Sequence, residues 1–218
     1  NDNNFDLLAV KVREYIGVTL QEQTSWQSTD IAMENWRNAL ESNGISVFKD
    51  AFREDEFSGF CLYDDEFPIV YVNNSMPKTR QIFTLFHELA HILFFTSGID
   101  IVDDYYIEEL TQANKEIEVF CNMFAASFLV PDKDFELTLN RRSFSLDLIS
   151  DIADEYLVSR EVVLRKLLNR QMVTPNQYQQ IVNQWKRDQE KTREKSTGSG
   201  NYYNNKIQYL GFNYLGIV

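Results

Sequence analysis

The hydrophobic and polar positions of this chain follow helical spacing at its start and then change to short apolar runs. Apolar residues recur at intervals of three and four over Phe5–Ile16, and again from about Asp30 to the residue before Gly44, which predicts two amphipathic helices. The next segment contains apolar runs divided by polar turns, a pattern typical of strands. The predicted strands are Ile45–Phe48, Gly59–Leu62 and Pro68–Val72.

Two later segments are apolar on nearly all sides, which is typical of helices buried within a domain. They cover Lys78–Phe95 and about Gln112–Val130, and Pro131 ends the second helix. The stretch between them, Thr96–Tyr106, has an acidic centre and is predicted to be a loop. The pattern therefore predicts an α+β fold, in which a small, mostly antiparallel sheet of about three strands packs on a helical core.

The remainder of the chain is predicted to be helical and then to end in a tail. Two helices joined by a short turn are expected over 146–168, followed by a polar helix from Pro175 to about Lys195. A Gly/Ser linker then leads into a tyrosine-rich tail. The chain is accordingly divided into residues 1–131, a C-terminal helical region at 132–195, and a linker with tail at 196–218.

Composition and the two cysteines indicate the cellular compartment in which the protein is expected. No run approaches the roughly 18 consecutive apolar residues that a membrane-spanning helix needs, and the first residues lack the basic and apolar regions of a signal peptide. Cys61 and Cys121 are far apart in sequence and form no CxxC pair, which predicts reduced cysteines rather than a disulfide framework. We therefore expect a cytoplasmic protein without a membrane partner.

The charge distribution argues against nucleic acid as a partner. The chain carries a net charge of −12, with −18 over residues 1–158 and +6 over residues 159–218. The helices at 146–168 have a helix-turn-helix pattern with basic residues at Arg160, Arg165 and Lys166, but the acidic body would repel phosphates. Direct DNA binding is therefore not expected, and the basic C-terminal part is interpreted as complementary to the acidic body.

The motif that carries chemistry contains the chain's only two histidines, His87 and His91, in the sequence His-Glu-Leu-Ala-His. On a helix with about 3.6 residues per turn, positions four apart share a face, so both imidazoles can reach one metal ion. Glu88 lies about 100° around the same helix, where its carboxylate can take a proton from water without ligating the ion. The motif predicts a catalytic metal site, and its ligand types favour zinc.

Catalytic zinc sites usually have three protein ligands, so a third is expected on another element. The following buried helix offers two carboxylates, Glu116 and Glu118. Glu118 forms an i, i+4 pair with Asn122 on one side of the helix, where Asn122 could orient a ligand. Glu116 fits better as a solvated acid near the start of the helix, and Cys121 is an alternative fourth ligand that would close the site.

These motifs lie within a longer pattern that resembles the ImmA/IrrE metallopeptidases, whose fold has gluzincin-like elements. The resemblance covers about residues 30–175 and is more specific than the HExxH motif alone. Its matching stretches are Trp36-Arg37, Leu40-Glu41, Gly44-Ile45-Ser46-Val47-Phe48, Gly59-Phe60, Pro68-Ile69-Val70-Tyr71-Val72-Asn73, Arg80–His91, Ile117-Glu118, Cys121-Asn122, Ala125-Ala126 and Leu129-Val130-Pro131.

Carried over position by position, the resemblance implies that His87, His91 and Glu118 ligate one zinc ion. It also implies that Glu88 is the general base and that Asn122 lies beside the site. A zincin-like core follows from the same resemblance, with the HExxH helix packed on the third-ligand helix in a metallopeptidase domain over residues 1–131. Many relatives have alanine at the position before this Asn, where the present chain has cysteine.

Members of the resembled family cut helix-turn-helix transcriptional repressors and so relieve repression, often on mobile elements or after DNA damage. The resemblance therefore implies a zinc-dependent endopeptidase that acts on a repressor, in transcription regulation and stress response. An alternative is a non-catalytic regulatory protein that uses the zinc scaffold to hold a partner, as in a toxin–antitoxin or phage-defense pair. The intact Glu88 favours the enzyme, because a binding module needs no base there.

For contacts with the substrate, the sequence offers several candidate residues and does not choose among them. Extended substrate backbone can add as a strand to Pro68–Asn73 if that strand lies at a sheet edge, which makes Tyr71 and Asn73 candidates for substrate binding. Tyr105 and Tyr106, at the end of the acidic stretch, are further candidates. The residues chemically suited to stabilise an oxyanion are Tyr71, Tyr105, Tyr106, Arg141 and Arg142.

Overall fold

A computed structural model describes residues 3–52, 57–101, 110–142 and 145–193. Its helices are α1 (Asn3–Ile16), α2 (Leu20–Ser25), α3 (Thr29–Ser42), α4 (Lys78–Leu93), α5 (Gln112–Leu129), α6 (Asp132–Arg141), α7 (Leu146–Tyr156), α8 (Arg160–Asn169) and α9 (Pro175–Arg193). Its strands are β1 (Ser46–Asp50), β2 (Phe57–Leu62), β3 (Ile69–Asn73) and β4 (Gly98–Ile101). The fold is α+β, and none of the helices described here combines the length and apolar character needed to cross a membrane.

The strands form one sheet in the order β1-β3-β2-β4. β1 and β3 run parallel, whereas β2 is antiparallel to both β3 and β4. The expectation of a mostly antiparallel sheet of three strands is therefore corrected to a mixed sheet of four strands. β4 lies within Thr96–Tyr106, the predicted loop, because a strand of four residues carries too little alternation to be recognised from sequence.

Local capping explains where the early helices begin. Thr19 and Glu22 form a capping box at the start of α2, each side chain accepting from the other's backbone N–H. The Ser28 hydroxyl accepts from the Ile31 N–H at 3.2 Å and caps α3, so the cap lies slightly before the predicted position at Asp30. Two short helices, α2 and α6, add to the elements predicted from the sequence.

The core surrounds α4. One face of the sheet packs against α4, and α3 and α5 pack against other sides of the same helix. Trp36, Phe86 and Phe128, from α3, α4 and α5, form an aromatic centre, with ring centroids 4.8 Å apart for Trp36–Phe86 and 4.1 Å apart for Phe86–Phe128. The burial of α4 on nearly all sides agrees with its apolar pattern.

Gly59 lets the sheet approach α4 closely. A Cβ atom at this position would lie 2.5 Å from the Tyr71 carbonyl oxygen and 2.6 Å from Thr84 Cγ2. Thr84 is buried on α4, so a larger residue at Gly59 would push β2 away from the helix. The position of the sheet over α4 therefore depends on this glycine.

A buried polar contact joins the helices before and after residue 131. Gln23 on α2 is fully buried, and its Nε2 donates to the carbonyl oxygens of Leu129 and Tyr156 at 2.9 and 2.8 Å. Arg13 Nη2 donates to Gln23 Oε1 at 2.7 Å and to the Phe128 carbonyl at 2.6 Å. Side chains of α1 and α2 thus satisfy carbonyls at the ends of α5 and α7, while the division into domains at residue 131 stays a prediction.

The C-terminal helices pack on one another. α7 ends at Leu157, whose backbone is left-handed with φ 57°, and Ser159 caps α8. The Arg160 guanidinium carbon lies 4.5 Å from the ring centroid of Trp185 on α9, and Arg165 Nη2 donates to Tyr178 Oη at 2.9 Å. Two of the three basic residues of the predicted helix-turn-helix are therefore in contact with α9, and the third, Lys166, pairs with Asp132 Oδ1 at 2.7 Å. The predicted tail at 196–218 lies outside the described residues.

Replacing Gln23 with leucine is expected to lower the free energy of unfolding by about 2–4 kcal/mol, because buried carbonyls and Arg13 lose a hydrogen-bond partner. Equilibrium urea unfolding, followed by circular dichroism, measures the change. Gln21→Leu, at an exposed position of the same helix, is the matched control and should change this free energy by less than about 0.5 kcal/mol. Equal losses in both variants would contradict a specific role for Gln23.

Candidate metal centre

α4 brings the two histidines of the HExxH motif to one side of a buried helix. His87 and His91 are one turn apart, and both side chains are almost completely buried. Their Nε2 atoms lie 3.2 Å from each other. Both imidazoles therefore direct the same nitrogen toward one point, as positions i and i+4 on a helix allow.

Glu118 on α5 completes a cluster with the two histidines. Its Oε2 lies 3.2 Å from His87 Nε2, and its Oε1 lies 3.4 Å from His91 Nε2. Burial alone would raise the pKa of Glu118, but the hydrogen bonds and charges of the two imidazoles lower it to about 2. The carboxylate is therefore ionised near neutral pH and facing both nitrogens.

The arrangement fits a metal ion by its donor set and its spacing. The ligand atoms of His87, His91 and Glu118 all lie within 4.8 Å of one another. The Nε2 separation of 3.2 Å is close to the separation of about 3.3 Å that two nitrogens roughly 2.05 Å from a tetrahedral ion would have. Two imidazole nitrogens and one carboxylate oxygen are also a ligand set that zinc accepts.

Two alternatives from the sequence lie outside this cluster. Glu116 is exposed and accepts a hydrogen bond from Gln112 Nε2 at 2.9 Å, which agrees with a solvated acid near the start of α5. Cys121 is a free, buried cysteine. Among the described residues, the side chains close enough to share one metal ion do not include it. The geometry therefore favours Glu118 as the third ligand.

Each imidazole has a partner at its other nitrogen. Asn122 Oδ1 lies 3.1 Å from His87 Nδ1, so Asn122 stands where the sequence interpretation expected it. Thr96 Oγ1 lies 3.3 Å from His91 Nδ1 and donates to the His91 carbonyl at 3.0 Å. Because the hydroxyl proton is already engaged, Thr96 accepts from Nδ1–H, and the His91 Nε2 lone pair then faces the cluster. Sequence reasoning missed Thr96, which follows the motif without any recognisable spacing signal.

Gly98 at the start of β4 lies directly against His91. A Cβ atom at Gly98 would come within 2.6–2.8 Å of three atoms of the His91 ring. Its N–H also donates to Cys61 Sγ at 3.2 Å, which fixes β4 against β2 at this point. Only glycine permits this approach without displacing the ring, so β4 is part of the support of the metal ligand.

Glu88, the expected general base, is fully buried on α4. Burial and the neighbouring Glu88 carboxylate both raise the pKa of the Cys61 thiol, so Cys61 stays protonated beside the motif. Glu88 is not part of the ligand cluster. Its role as the general base stays a prediction.

The predicted substrate contacts on β3 are not supported by the sheet topology. β3 pairs with β1 on one side and β2 on the other, so strand addition there is excluded. The Tyr71 ring stacks on Phe60 with centroids 5.1 Å apart, and strand alternation with the buried Val70 puts it on the sheet face away from α4. Tyr71 is therefore corrected to a residue of the outer sheet face.

Asn73 and Arg142 have partners within the protein. Asn73 is buried, its Nδ2 donates to the Phe57 carbonyl at 2.7 Å and its Oδ1 accepts from the Ser75 N–H at 3.0 Å, so it stabilises a turn. Arg142 Nη1 lies 3.6 Å from Asp151 Oδ2 on α7. Tyr105 and Tyr106 lie outside the described residues, as does the side chain of Arg141.

The fold and the site together fit a metal-binding protein of the HExxH type, with the third ligand on the following helix. The chain belongs to the IrrE N-terminal-like domain family, whose sequence profile matches residues 40–168. This match confirms the family that the sequence motifs indicate.

Two relatives called radiation response metalloprotease IrrE are similar to this chain. The protein from Deinococcus deserti is 31% identical over 111 residues, which are 50% of this chain and 38% of the relative. The protein from Deinococcus radiodurans is 31% identical over 108 residues, which are 48% of this chain and 32% of the relative. The chain therefore matches less than two-fifths of the length of either relative.

A solved structure of a Mycobacterium tuberculosis transcriptional regulator shares the fold. The two structures superpose with a TM-score of 0.52 over 81% of this chain and 49% of the other chain. Their sequences are 18% identical, so this likeness concerns the fold alone.

Replacing Thr96 with valine should weaken zinc binding by about 10- to 100-fold, because the acceptor that orients His91 Nδ1 is lost while the side-chain volume is kept. Competition with a chromogenic zinc chelator measures the affinity. Thr111→Val is the matched control, since that threonine precedes α5 and its hydroxyl caps nothing. An unchanged affinity in Thr96→Val would show that the hydroxyl does not orient the ligand.

Proposed function

We propose that the chain is a zinc-dependent endopeptidase with a zincin-like core. The observation that carries this proposal is the convergence of Glu118 on α5 with His87 and His91 on α4, the helix that also holds the buried Glu88. The ligand atoms of the three side chains lie within 4.8 Å of one another. This ligand set is that of catalytic zinc sites that keep an open position. In the described part of the chain it is the one such group of three, which supports one zinc ion per chain.

The residues around the cluster have separate roles in this proposal. Zinc, when bound there, supplies a Lewis acid that polarises the scissile carbonyl and makes water more acidic. Glu88 accepts the proton that the attacking water loses and returns it to the leaving amine. Asn122 and Thr96 keep the two imidazoles oriented through their Nδ1 atoms.

β4 offers a backbone edge for an extended substrate. It is the last strand in the sheet order and pairs with β2 on one side, so within the described ranges its other side has no strand partner. Gly98 at its start contacts the His91 ring. Substrate backbone that adds along β4 would therefore pass beside the metal ligands, whereas β3 has no free side.

A helix-turn-helix repressor in the cytoplasm is the proposed substrate, in a stress or mobile-element response. Family membership supports this role, as do the relatives named as radiation response metalloproteases. The net charge of −12 suits a basic protein partner, and both cysteines are free, as in a reducing compartment. Direct DNA binding is not proposed, because α9 engages Arg160 and Arg165.

Replacing Glu88 with glutamine is expected to reduce peptide cleavage by about a hundred- to ten-thousandfold, because the amide cannot accept the proton from water. The zinc content should stay unchanged, because Glu88 lies outside the ligand cluster. Cleavage of a peptide library, followed by mass spectrometry, measures the first effect, and elemental analysis measures the second. Glu116→Gln, an exposed glutamate of α5, is the matched control and should cleave at the parental rate.

Two results would contradict the proposal. Cleavage by Glu88→Gln at the parental rate would remove Glu88 from the chemistry. No cleavage by the parental protein, with full zinc content, would instead favour the non-catalytic partner-binding alternative.

A further inference from the structure

α4 ends in a tight turn that holds Phe95 in the left-handed region, with φ 58°. The Phe95 N–H donates to the Ile92 carbonyl at 3.0 Å, and the Thr96 N–H donates to the carbonyl five residues before it, also at 3.0 Å. This pair of hydrogen bonds closes a helix around one left-handed residue, which is usually glycine because a Cβ atom is unfavourable at positive φ. Phenylalanine at this position therefore costs conformational energy.

The Phe95 side chain does not gain burial in return. It is 74% exposed, and its ring contacts that of Tyr63 with centroids 5.4 Å apart. α7 and α8 end in the same kind of turn, at Leu157 and Gln171, but Leu157 packs against the core and Gln171 is polar. Of these three residues, Phe95 is the one that exposes a large apolar side chain. Strained residues of this kind are often retained for binding.

The turn between β2 and β3 lies against Phe95 and is acidic. The Tyr63 N–H donates to Ser97 Oγ at 3.0 Å, which joins this turn to the segment after α4. Neither residues 62–67 nor residues 93–98 include a lysine or an arginine. The turn exposes three successive acids and a second phenylalanine: Asp64, Asp65, Glu66 and Phe67. We call these four residues, together with Tyr63 and Phe95, the Phe95 surface.

The chemistry of the Phe95 surface restricts its occupant. An apolar group is needed to cover the exposed rings, and positive charges are needed to face the three acids. A second copy of this chain fits poorly, because it would bring its own three acids against the same acids. The surface also adjoins the metal ligands, since Gly98, which lies against the His91 ring, directly follows Ser97.

We propose that the Phe95 surface binds a basic segment of a partner protein, in which lysine or arginine alternates with aliphatic side chains. Phe95 supplies the apolar contact, and the three acids of the turn attract the basic side chains. The proposal goes beyond the proposed function, because binding at this surface uses neither the three metal ligands nor Glu88. In a peptidase, the same surface would hold the substrate outside the metal site.

The first experiment measures which peptides bind to the full chain loaded with zinc. Three fluorescein-labelled octapeptides are compared by fluorescence anisotropy: one alternates lysine with leucine, one alternates glutamate with leucine, and one alternates lysine with serine. Mass spectrometry confirms that each peptide stays intact. The lysine–leucine peptide should bind at least about tenfold more tightly than either of the others, because it alone meets both requirements of the surface.

Replacing Phe95 with glycine separates binding from folding. The variant should raise the melting temperature by about 2–4 °C, because glycine relieves the left-handed backbone. It should also weaken binding of the lysine–leucine peptide by about tenfold, because the apolar contact is lost. Gln171→Gly is the matched control at a turn of the same geometry, and it should raise the melting temperature without changing the affinity.

A second pair of variants tests the acids. Asp65→Asn with Glu66→Gln should weaken the lysine–leucine peptide by about three- to tenfold at low salt, and the difference should shrink at about 0.5 M salt. The asparagine keeps an oxygen that can accept from the Tyr63 hydroxyl. The matched control is Glu14→Gln with Asp154→Asn, two exposed acids on other helices, and it should bind like the parental chain.

Several outcomes would overturn the proposal. They are unchanged affinity in Phe95→Gly, equal binding of the glutamate and lysine peptides, and a lower melting temperature in Phe95→Gly, which would show that the ring is retained for folding. A dimer in sedimentation velocity that Phe95→Gly abolishes would assign the surface to a second copy instead. Binding of the lysine–leucine peptide at this surface by a chain that cleaves no peptide would support the proposal and contradict only the peptidase function.

Discussion

The contact between α4 and α5 is the constraint on which the rest of the structure depends. Two imidazoles on an otherwise apolar helix are costly to bury unless their nitrogens have partners. Asn122 and Thr96 lie at the two Nδ1 atoms, and Glu118 faces both Nε2 atoms from the neighbouring helix, where an ion would be shared by all three ligands. The stacked rings of Phe86 and Phe128, 4.1 Å apart, hold the two helices together. The sheet, α3 and α1 then cover the remaining sides of this pair. The same interface between α4 and α5 therefore holds both the aromatic packing and the three candidate metal ligands.

Much of this interface could be predicted because its signals are local in the sequence. The spacing of His87 and His91 places both imidazoles on one helical face, and the all-round apolar pattern indicates that the helix is buried. The choice between Glu116 and Glu118 also follows from a local rule, because Asn122 lies one turn after Glu118. Signals of this kind depend on the periodicity of a single helix, which the structure preserves for α4 and α5.

The parts that could not be predicted depend on contacts between distant segments. β4 has four residues and gains its order by pairing with β2. Thr96 becomes a partner of His91 because the chain turns back at the end of α4, and Gly98 is required by an imidazole ring rather than by a turn. The parallel pairing of β1 and β3 places Tyr71 on a central strand, since β2 occupies the other side. Neither alternation nor composition contains this information.

The hydrogen bonds that Gln23 and Arg13 make at the end of α5 link folding of the C-terminal helices to occupancy of the metal site. α5 carries Glu118 toward its start, while its last carbonyls are held by Gln23 and Arg13, and Gln23 also holds the end of α7. An ion that binds only the folded state stabilises every element whose order α5 requires. By the same thermodynamic cycle, a change that destabilises α7 lowers the affinity of the site for the ion. Removal of the metal should therefore make unfolding less cooperative between the elements before residue 131 and the helices after it, because α5 contacts both.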